Sequence, residues 1–157
     1  MKVLVASDKA GFELKEKVKA NLQSKGWEVD DVGLADAQGY MTYFTASDNL
    51  CRKIQAGEAA QGILICGTGA GMNINANKYE GIFAVSCEST FSARMCRVVN
   101  NANVLTMGGN IVGPGVAFEI CDTFLNTGFT EGMPPDRAEY LKTLNADYRD
   151  FLAAKQQ

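Results

Sequence analysis

Short apolar runs rich in β-branched residues alternate along the chain with segments of helical periodicity. Five runs have the character of strands: Lys2–Ser7, Glu28–Val32, Gly62–Cys66, Ile82–Ser86 and Val104–Met107. Several of them are apolar throughout, which is typical of parallel strands that helices cover on both faces. The pattern therefore predicts a buried, mostly parallel sheet.

Helical segments lie between these runs and after the last one. In Phe12–Lys25 the residues Leu14, Val18 and Leu22 recur every fourth position, which predicts an amphipathic helix that ends before Gly26. Further helices are predicted at Thr45–Ala56, Gly71–Asn77, Thr90–Asn100, Gly115–Leu125 and Arg137–Lys155, the last opened by Pro134 and Pro135, with Leu34–Thr42 as the longest loop. Right-handed crossovers place helices on both faces of such a sheet. The predicted fold class is α/β: a three-layer Rossmann-like sandwich with a five-stranded mostly parallel sheet and a C-terminal helix.

Composition limits the domain count and the kinds of partner. The chain has 157 residues, of which 46% are hydrophobic and 21% charged, and this size predicts a single domain over residues 1–157. A net charge of -3 and scattered lysines and arginines argue against a nucleic-acid partner. No apolar run approaches the roughly 20 residues that span a bilayer, and no signal-peptide pattern follows Met1. We therefore expect a cytoplasmic protein with no membrane contact.

The counts of cysteine and histidine restrict the chemistry. The five cysteines are Cys51, Cys66, Cys87, Cys96 and Cys121. They are odd in number and widely spaced, so they predict neither a disulfide framework nor a zinc site. The chain contains no histidine, which removes the commonest general base and metal ligand. Any catalysis must use Cys, Asp, Glu, Lys or backbone groups.

The third apolar run leads into a glycine-rich turn. Cys66 ends the run, and Gly67, Gly69 and Gly71 follow at alternate positions before a predicted helix. Because glycines let backbone N–H groups approach a ligand and a helix N-terminus is partially positive, the turn is suited to bind an anion. There are two alternatives. Cys66 could simply be a packed cysteine beside a tight turn, or the turn could bind a dinucleotide, with Glu88 about 20 residues on. The third glycine comes one position too early for the dinucleotide motif, which follows the first strand rather than the third.

Nearly end to end, the chain resembles the family of ribose-5-phosphate isomerase B and the galactose-6-phosphate isomerase subunits. The segments that carry the resemblance are Ser7–Lys15, Gly62–Met72, Ala76–Lys78, Ser92–Arg94 and Asn100–Leu105. The most specific of them is the Cys-Gly-Thr-Gly-Ala-Gly sequence at positions 66–71. The resemblance implies an aldose–ketose isomerase, an intramolecular oxidoreductase that acts on a sugar phosphate through an enediolate without a metal or nucleotide cofactor. It also implies a homodimer or higher homo-oligomer whose sites are shared between chains.

The resemblance assigns roles to residues of the turn. Cys66 would be the base that moves a proton between C1 and C2, and Thr68 would move or orient the proton between O1 and O2. The oxyanion would be stabilised by the backbone N–H groups of Gly67, Gly69, Ala70 and Gly71. Asp8, and Asn100 from the partner chain, match positions that bind sugar hydroxyls. Taken alone, each of these two residues is equally well explained as a helix cap.

Several family residues are missing from this chain. Val99 stands where the family has a ring-opening histidine, and Lys9 stands where it has the histidine of an Asp-His pair. An Arg-His pair is replaced by Met133–Asp136, and an Asp-Tyr-Pro segment by Gly39–Tyr43. Lys9 and Arg137 are therefore the candidate phosphate ligands, ahead of Arg94 and Arg97.

These departures predict a substrate other than ribose 5-phosphate. An acyclic tetrose or tetrulose phosphate needs no ring opening, and it is the first hypothesis. A second is that the chain is the Cys-bearing subunit of a hetero-oligomeric galactose-6-phosphate-type isomerase, in which a paralogous subunit supplies the missing groups. A third is a non-catalytic module that binds a sugar phosphate.

Overall fold

The computed structural model describes residues 1–155, which form five strands and six helices. In chain order these are β1 (Lys2–Ser7), α1 (Phe12–Ser24), β2 (Glu28–Asp31), α2 (Tyr43–Gln55), β3 (Gly62–Cys66), α3 (Ala70–Ala76), β4 (Ala84–Ser86), α4 (Thr90–Asn100), β5 (Val104–Gly108), α5 (Pro114–Asn126) and α6 (Pro135–Ala154). The types and order of the predicted elements are confirmed, and their ends differ from the predicted ones by at most two residues.

The strands form one sheet in the order β2-β1-β3-β5-β4, and every neighbouring pair is parallel. The sheet is thus wholly rather than mostly parallel. Ser7 pairs with Ile65, and Cys66 pairs with Gly108, so the carboxyl ends of the three central strands lie side by side. The chain moves outward from β1 to β2 and then returns to β3 on the other side. A crevice at this reversal, between the loops after β1 and β3, is where such sheets bind ligands.

Apolar side chains that alternate along the strands fill two layers, one on each face of the sheet. One layer packs Val5, Ile65 and Leu105 against α1, α4 and α5. The other packs Leu4 and Leu64, with other strand residues, against α2 and α3. This arrangement confirms the three-layer α/β sandwich. Among residues 1–155, no helix has both the length and the apolar character needed to cross a membrane.

Local hydrogen bonds lie where two elements begin. The Oγ1 atom of Thr42 accepts a hydrogen bond from the N–H of Thr45 at 3.1 Å, so α2 starts two residues earlier than predicted. The strand β4 starts at Ala84, two residues later than predicted, and the N–H of Phe83 just before it donates to Asn103 Oδ1 at 2.8 Å. At both positions a side chain binds a backbone group.

Lys15 on α1 is fully buried and anchors the loop after β2. Its Nζ donates to Asp31 Oδ2 at 2.6 Å and to the carbonyl oxygen of Leu34 at 2.5 Å. Burial alone would raise the pKa of Asp31. The hydrogen bonds from Lys15 and Lys19 lower the pKa by more than burial raises it, so it lies below the usual value. The ionised pair therefore holds the β2–α2 loop against the first helix.

Candidate active site

Cys66 is the last residue of β3, and only 5% of it is exposed. Its Sγ accepts a hydrogen bond from the N–H of Gly69 at 3.1 Å, and its carbonyl oxygen accepts one from the N–H of Gly109 at 2.7 Å. Gly69 has a φ of 81°, and a Cβ there would lie 2.9 Å from the backbone carbon of Met107. Only glycine fits this position, and the tight turn it permits directs the Gly69 amide at the sulfur.

The turn between β1 and α1 forms the first wall of the crevice. A Cβ on Gly11 would lie 2.1 Å from the carbonyl oxygen of Ile65, so this turn packs directly on the end of β3. Asp8 Oδ1 accepts a hydrogen bond from the N–H of Gly11 at 3.0 Å. One carboxylate oxygen of Asp8 therefore closes the turn before α1, but Asp8 does not cap the helix, because the N-cap is Gly11 and no side chain caps it. Lys9, the next residue, is exposed.

The loop between β5 and α5 forms the opposite wall and contains a residue that the sequence did not single out. The N–H of Asn110 donates to the carbonyl oxygen of Gly67 at 3.0 Å. Asn110 Nδ2 lies 3.3 Å from where a Cβ on Gly67 would be, and the methyl group of Ala10 lies 3.5 Å from the same point. No sequence motif marks Asn110, because its role depends on the contact between two loops.

Tyr43 was also missed. It is the first residue of α2, and its ring carbons lie 3.1 Å from where a Cβ on Gly71 would be. The ring therefore covers the start of α3, although 43% of Tyr43 remains exposed. The segment Gly39–Tyr43 thus still places an aromatic side chain beside the glycine turn. The signal in the sequence was an aromatic residue directly after a capping threonine.

Thr68 lies at the exposed tip of the glycine turn. Its Oγ1 accepts a hydrogen bond from the N–H of Ala70 at 3.4 Å. Its backbone packs closely on β5, because a Cβ on Gly108 would be 2.8 Å from Thr68 Cα. The packed backbone fixes the turn, while the side chain remains exposed.

Asn100 does not lie beside Cys66 within one chain. Asn100 ends α4 at the amino edge of the sheet, where Asn103 O accepts from the N–H of Gly62, the first residue of β3. Cys66 ends the same strand, so the two edges are separated by roughly 13 Å. Arg137 lies in the first turn of α6, with its guanidinium 5.0 Å from the ring centre of Tyr140. A role of Asn100 at Cys66 therefore requires a second chain.

The two arginines considered as weaker phosphate ligands have partners of their own. Arg94 forms an ion pair with Glu131 at 3.1 Å. Arg97 donates to the carbonyl oxygen of Thr127 at 3.1 Å, and burial lowers the pKa of its guanidinium. Both side chains therefore connect α4 to the segment after α5.

The other cysteines are free thiols in the core. Burial raises the pKa of Cys51 to about 11 and also raises the pKa of Cys121, so both thiols are neutral near pH 7. Cys87 and Cys96 contact each other, with 3.9 Å between the sulfur atoms. Cys66 is thus the cysteine of these five that borders the glycine turn.

Comparison with known proteins shows the family of the chain. The Ribose/Galactose Isomerase family matches residues 3–141. The chain belongs to this family. It is 52% identical over 142 residues to 4-deoxy-4-sulfo-D-erythrose isomerase of Clostridium sp. (strain MSTE9), covering 90% of this chain and 89% of that protein. D-erythrulose-4-phosphate isomerase of Pectobacterium atrosepticum is 35% identical over 139 residues, covering 88% and 91%.

The solved structures agree with the family assignment. Ribose 5-phosphate isomerase from Thermotoga maritima superposes on the isomerase with a TM-score of 0.80 and 44% sequence identity, covering 89% of this chain and 96% of that chain. The Rossmann-like fold and the aldose–ketose isomerase activity predicted from the sequence are therefore confirmed. The hypothesis of a non-catalytic sugar-phosphate-binding module is therefore wrong.

Proposed function

We propose that the isomerase interconverts the aldose and ketose forms of a four-carbon sugar that carries a strong anion at C4. The observation that carries this proposal is the absence of histidine from the sequence. Neither this chain nor a second copy of it has an imidazole to open a sugar ring. A sulfonate or phosphate at C4 leaves no free O4 hydroxyl to close a furanose ring, so such a substrate is already open. The relatives named for a sulfo-erythrose and for erythrulose 4-phosphate support this class.

In the proposed mechanism, the Cys66 thiolate removes the proton from C2 of the aldose and returns it to C1 of the enediolate. Thr68 transfers the remaining proton from O2 to O1, so that the reaction needs no oxidant and no cofactor. Cys66 Sγ lies at the end of β3 and accepts a hydrogen bond from the N–H of Gly69 at 3.1 Å. The enediolate oxygen is stabilised by backbone N–H groups of the turn, from Gly67, Gly69, Ala70 and Gly71. Before the substrate binds, the N–H of Gly69 donates to Cys66 Sγ and that of Ala70 to Thr68 Oγ1, so these two amides exchange partners in the reaction.

Substrate binding in this proposal uses both edges of the sheet, from two chains. Asp8 and Lys9 lie at the crevice of one chain, while Asn100 and Arg137 reach it from a partner in a homodimer. Exposed apolar residues on α6 support such a partner, with Tyr140 54%, Tyr148 48% and Phe151 54% exposed. We place this homodimer in the cytoplasm.

The activity is tested with the purified chain and a panel of three- to six-carbon aldose and ketose phosphates, together with 4-deoxy-4-sulfo-erythrose, in deuterated water. Exchange of deuterium into C1 or C2 reports enediolate formation even when net turnover is slow. We expect exchange to be fastest with the four-carbon substrates. Equal or faster exchange with ribose 5-phosphate would contradict the proposed substrate class.

The shared site is tested by mixing two inactive variants, Cys66→Ser and Asn100→Ala. Each variant alone lacks a residue of every site, but a mixed dimer has one site with both residues intact. After dissociation and random reassociation, we expect about a quarter of the wild-type activity. A mixture that stays inactive, although it forms mixed dimers, would show that Asn100 does not complete the partner's site.

A further inference from the structure

Cys87 and Cys96 are a pair of thiols beside the last strand of the sheet. Cys87 directly follows β4, and Cys96 lies on α4, nine residues further along the chain. Their sulfur atoms are 3.9 Å apart, and the two residues are only 0% and 4% exposed. An S–S bond is about 2.05 Å long, so the sulfurs need to approach by about 2 Å to form a disulfide.

The two thiols differ in how readily they ionise. Hydrogen bonds from Cys96 and from Ser92 hold the pKa of Cys87 below its usual value, although burial opposes this. The same contact with Cys87, together with burial, raises the pKa of Cys96. Residues 88–91, which join Cys87 to α4, are exposed. Because a thiolate is the form that an oxidant attacks, Cys87 is the sulfur that reacts first, from the side of this exposed segment.

The pair is linked to the glycine turn through the residue before Cys87. Ser86 Oγ lies 3.1 Å from where a Cβ on Gly69 would be, so this side chain packs on the turn. The N–H of Gly69 donates to Cys66 Sγ at 3.1 Å. Cys87 packs with α4 on one face of the sheet, whereas α3, which Gly69 caps, packs on the other face. A movement of Cys87 towards α4 therefore shifts the backbone of Ser86 relative to the turn.

We propose that hydrogen peroxide converts Cys87 and Cys96 into a reversible disulfide that slows the isomerase. The Cys87 thiolate attacks one oxygen of the peroxide, the O–O bond breaks, and a sulfenic acid and hydroxide form. The sulfur of Cys96 then attacks the sulfenic sulfur, the S–S bond forms and water leaves. Overall, two thiols lose two electrons and two protons to one peroxide, which becomes two waters. A dithiol reverses the reaction by thiol–disulfide exchange.

Peptide mass spectrometry of the native protein tests the disulfide directly, whichever sugar the enzyme converts. Trypsin cleaves after Arg94, so the two cysteines fall on separate peptides, residues 79–94 and 95–97. After treatment with peroxide and blocking of free thiols, we expect these peptides to be joined, and dithiothreitol should separate them. Cys51 and Cys121 are internal controls that should stay free, because burial raises the pKa of both thiols. If both peptides instead carry the blocking reagent, the proposed disulfide is wrong.

The effect on catalysis is measured with Cys96→Ser, which keeps Cys87 but cannot form the bond. Turnover of the sugar that exchanges deuterium fastest is compared before peroxide, after peroxide and after dithiothreitol, in samples whose Cys66 thiol is still free by mass spectrometry. We expect kcat of the wild type to fall by about threefold or more and to recover on reduction, while the variant keeps its rate. Cross-linked wild type with an unchanged rate, or an equal loss in the variant, would overturn the effect on catalysis. Cys87→Ser should behave like Cys96→Ser, and a thermal melt shows that each variant is folded.

Discussion

The two edges of the sheet use similar polar side chains in opposite ways. At the amino edge, Asn103 accepts the N–H of Phe83 at 2.8 Å and donates to the carbonyl oxygen of Gly81 at 2.8 Å. Asn77 accepts from and donates to the backbone of Ala84, at 2.9 Å in both cases. These amides replace strand partners and close loops, so their hydrogen-bonding capacity is used by the fold.

At the carboxyl edge, several polar side chains are exposed to solvent, and close contacts between backbone atoms hold the loops in place. Gly11 and Gly69 let the loops touch the ends of neighbouring strands. The side chains of Lys9, Thr68 and Asn110 are exposed above them. Exposed polar groups are hydrogen-bonded to water rather than to the fold, so these side chains can exchange that water for a ligand. The difference separates residues of the proposed chemistry from residues that stabilise the fold.

Of the substitutions that compare the two edges, Cys66→Ser at the carboxyl edge should reduce activity the most. Serine is too weak a base near neutral pH, so turnover and deuterium exchange should fall by about two to four orders of magnitude. The melting temperature should stay close to that of the wild type. Cys51→Ser is the matched control, because Cys51 is a buried thiol on α2 with Ser47 Oγ 3.9 Å from its sulfur. Full turnover by Cys66→Ser would remove this residue from the mechanism.

Lys9→Ala should have the next largest effect. One charge-assisted contact contributes about 1.5–3 kcal/mol, so the variant should bind the anionic substrate weaker by roughly one to two orders of magnitude. The rate at saturation should change less, since the proposed role of Lys9 is to bind the anion rather than the reacting atoms. KM and titration measure this effect, with Lys17→Ala on the exposed face of α1 as control. An unchanged affinity would mean that another group binds the anion.

Asn103→Ala should lower the stability of the fold without changing kcat/KM. It removes the acceptor of the Phe83 N–H and the donor to Gly81 O. An unsatisfied donor of this kind costs about 1–3 kcal/mol, and each kcal/mol lowers the melting temperature of a chain this size by about 2–4 °C. Asn126→Ala, which loses one exposed contact to Asp122 O, should melt closer to the wild type. A large fall in kcat/KM of folded Asn103→Ala would show that the amino edge also shapes the site.

The sequence predicted the residues of the site that are adjacent in the chain, but not the residues that reach the site from other loops and helices. Cys66 and the three glycines after it are adjacent in the chain, so their motif was visible, and the structure places them at the predicted strand end. Tyr43 and Asn110 reach the same turn from α2 and from the loop after β5. Their contacts join segments far apart in the chain, and each residue alone resembles many solvent-exposed ones.

By itself, the sequence determined the order of strands and helices, the parallel sheet and the position of the glycine turn. Hydrophobic periodicity and glycine placement act over a few residues, so a linear chain displays them. Only the tertiary structure decided that Lys15 is buried against Asp31 and that Asn100 lies at the edge opposite Cys66. These features depend on which segments pack together, because burial and pairing are set by distant neighbours that no local pattern specifies.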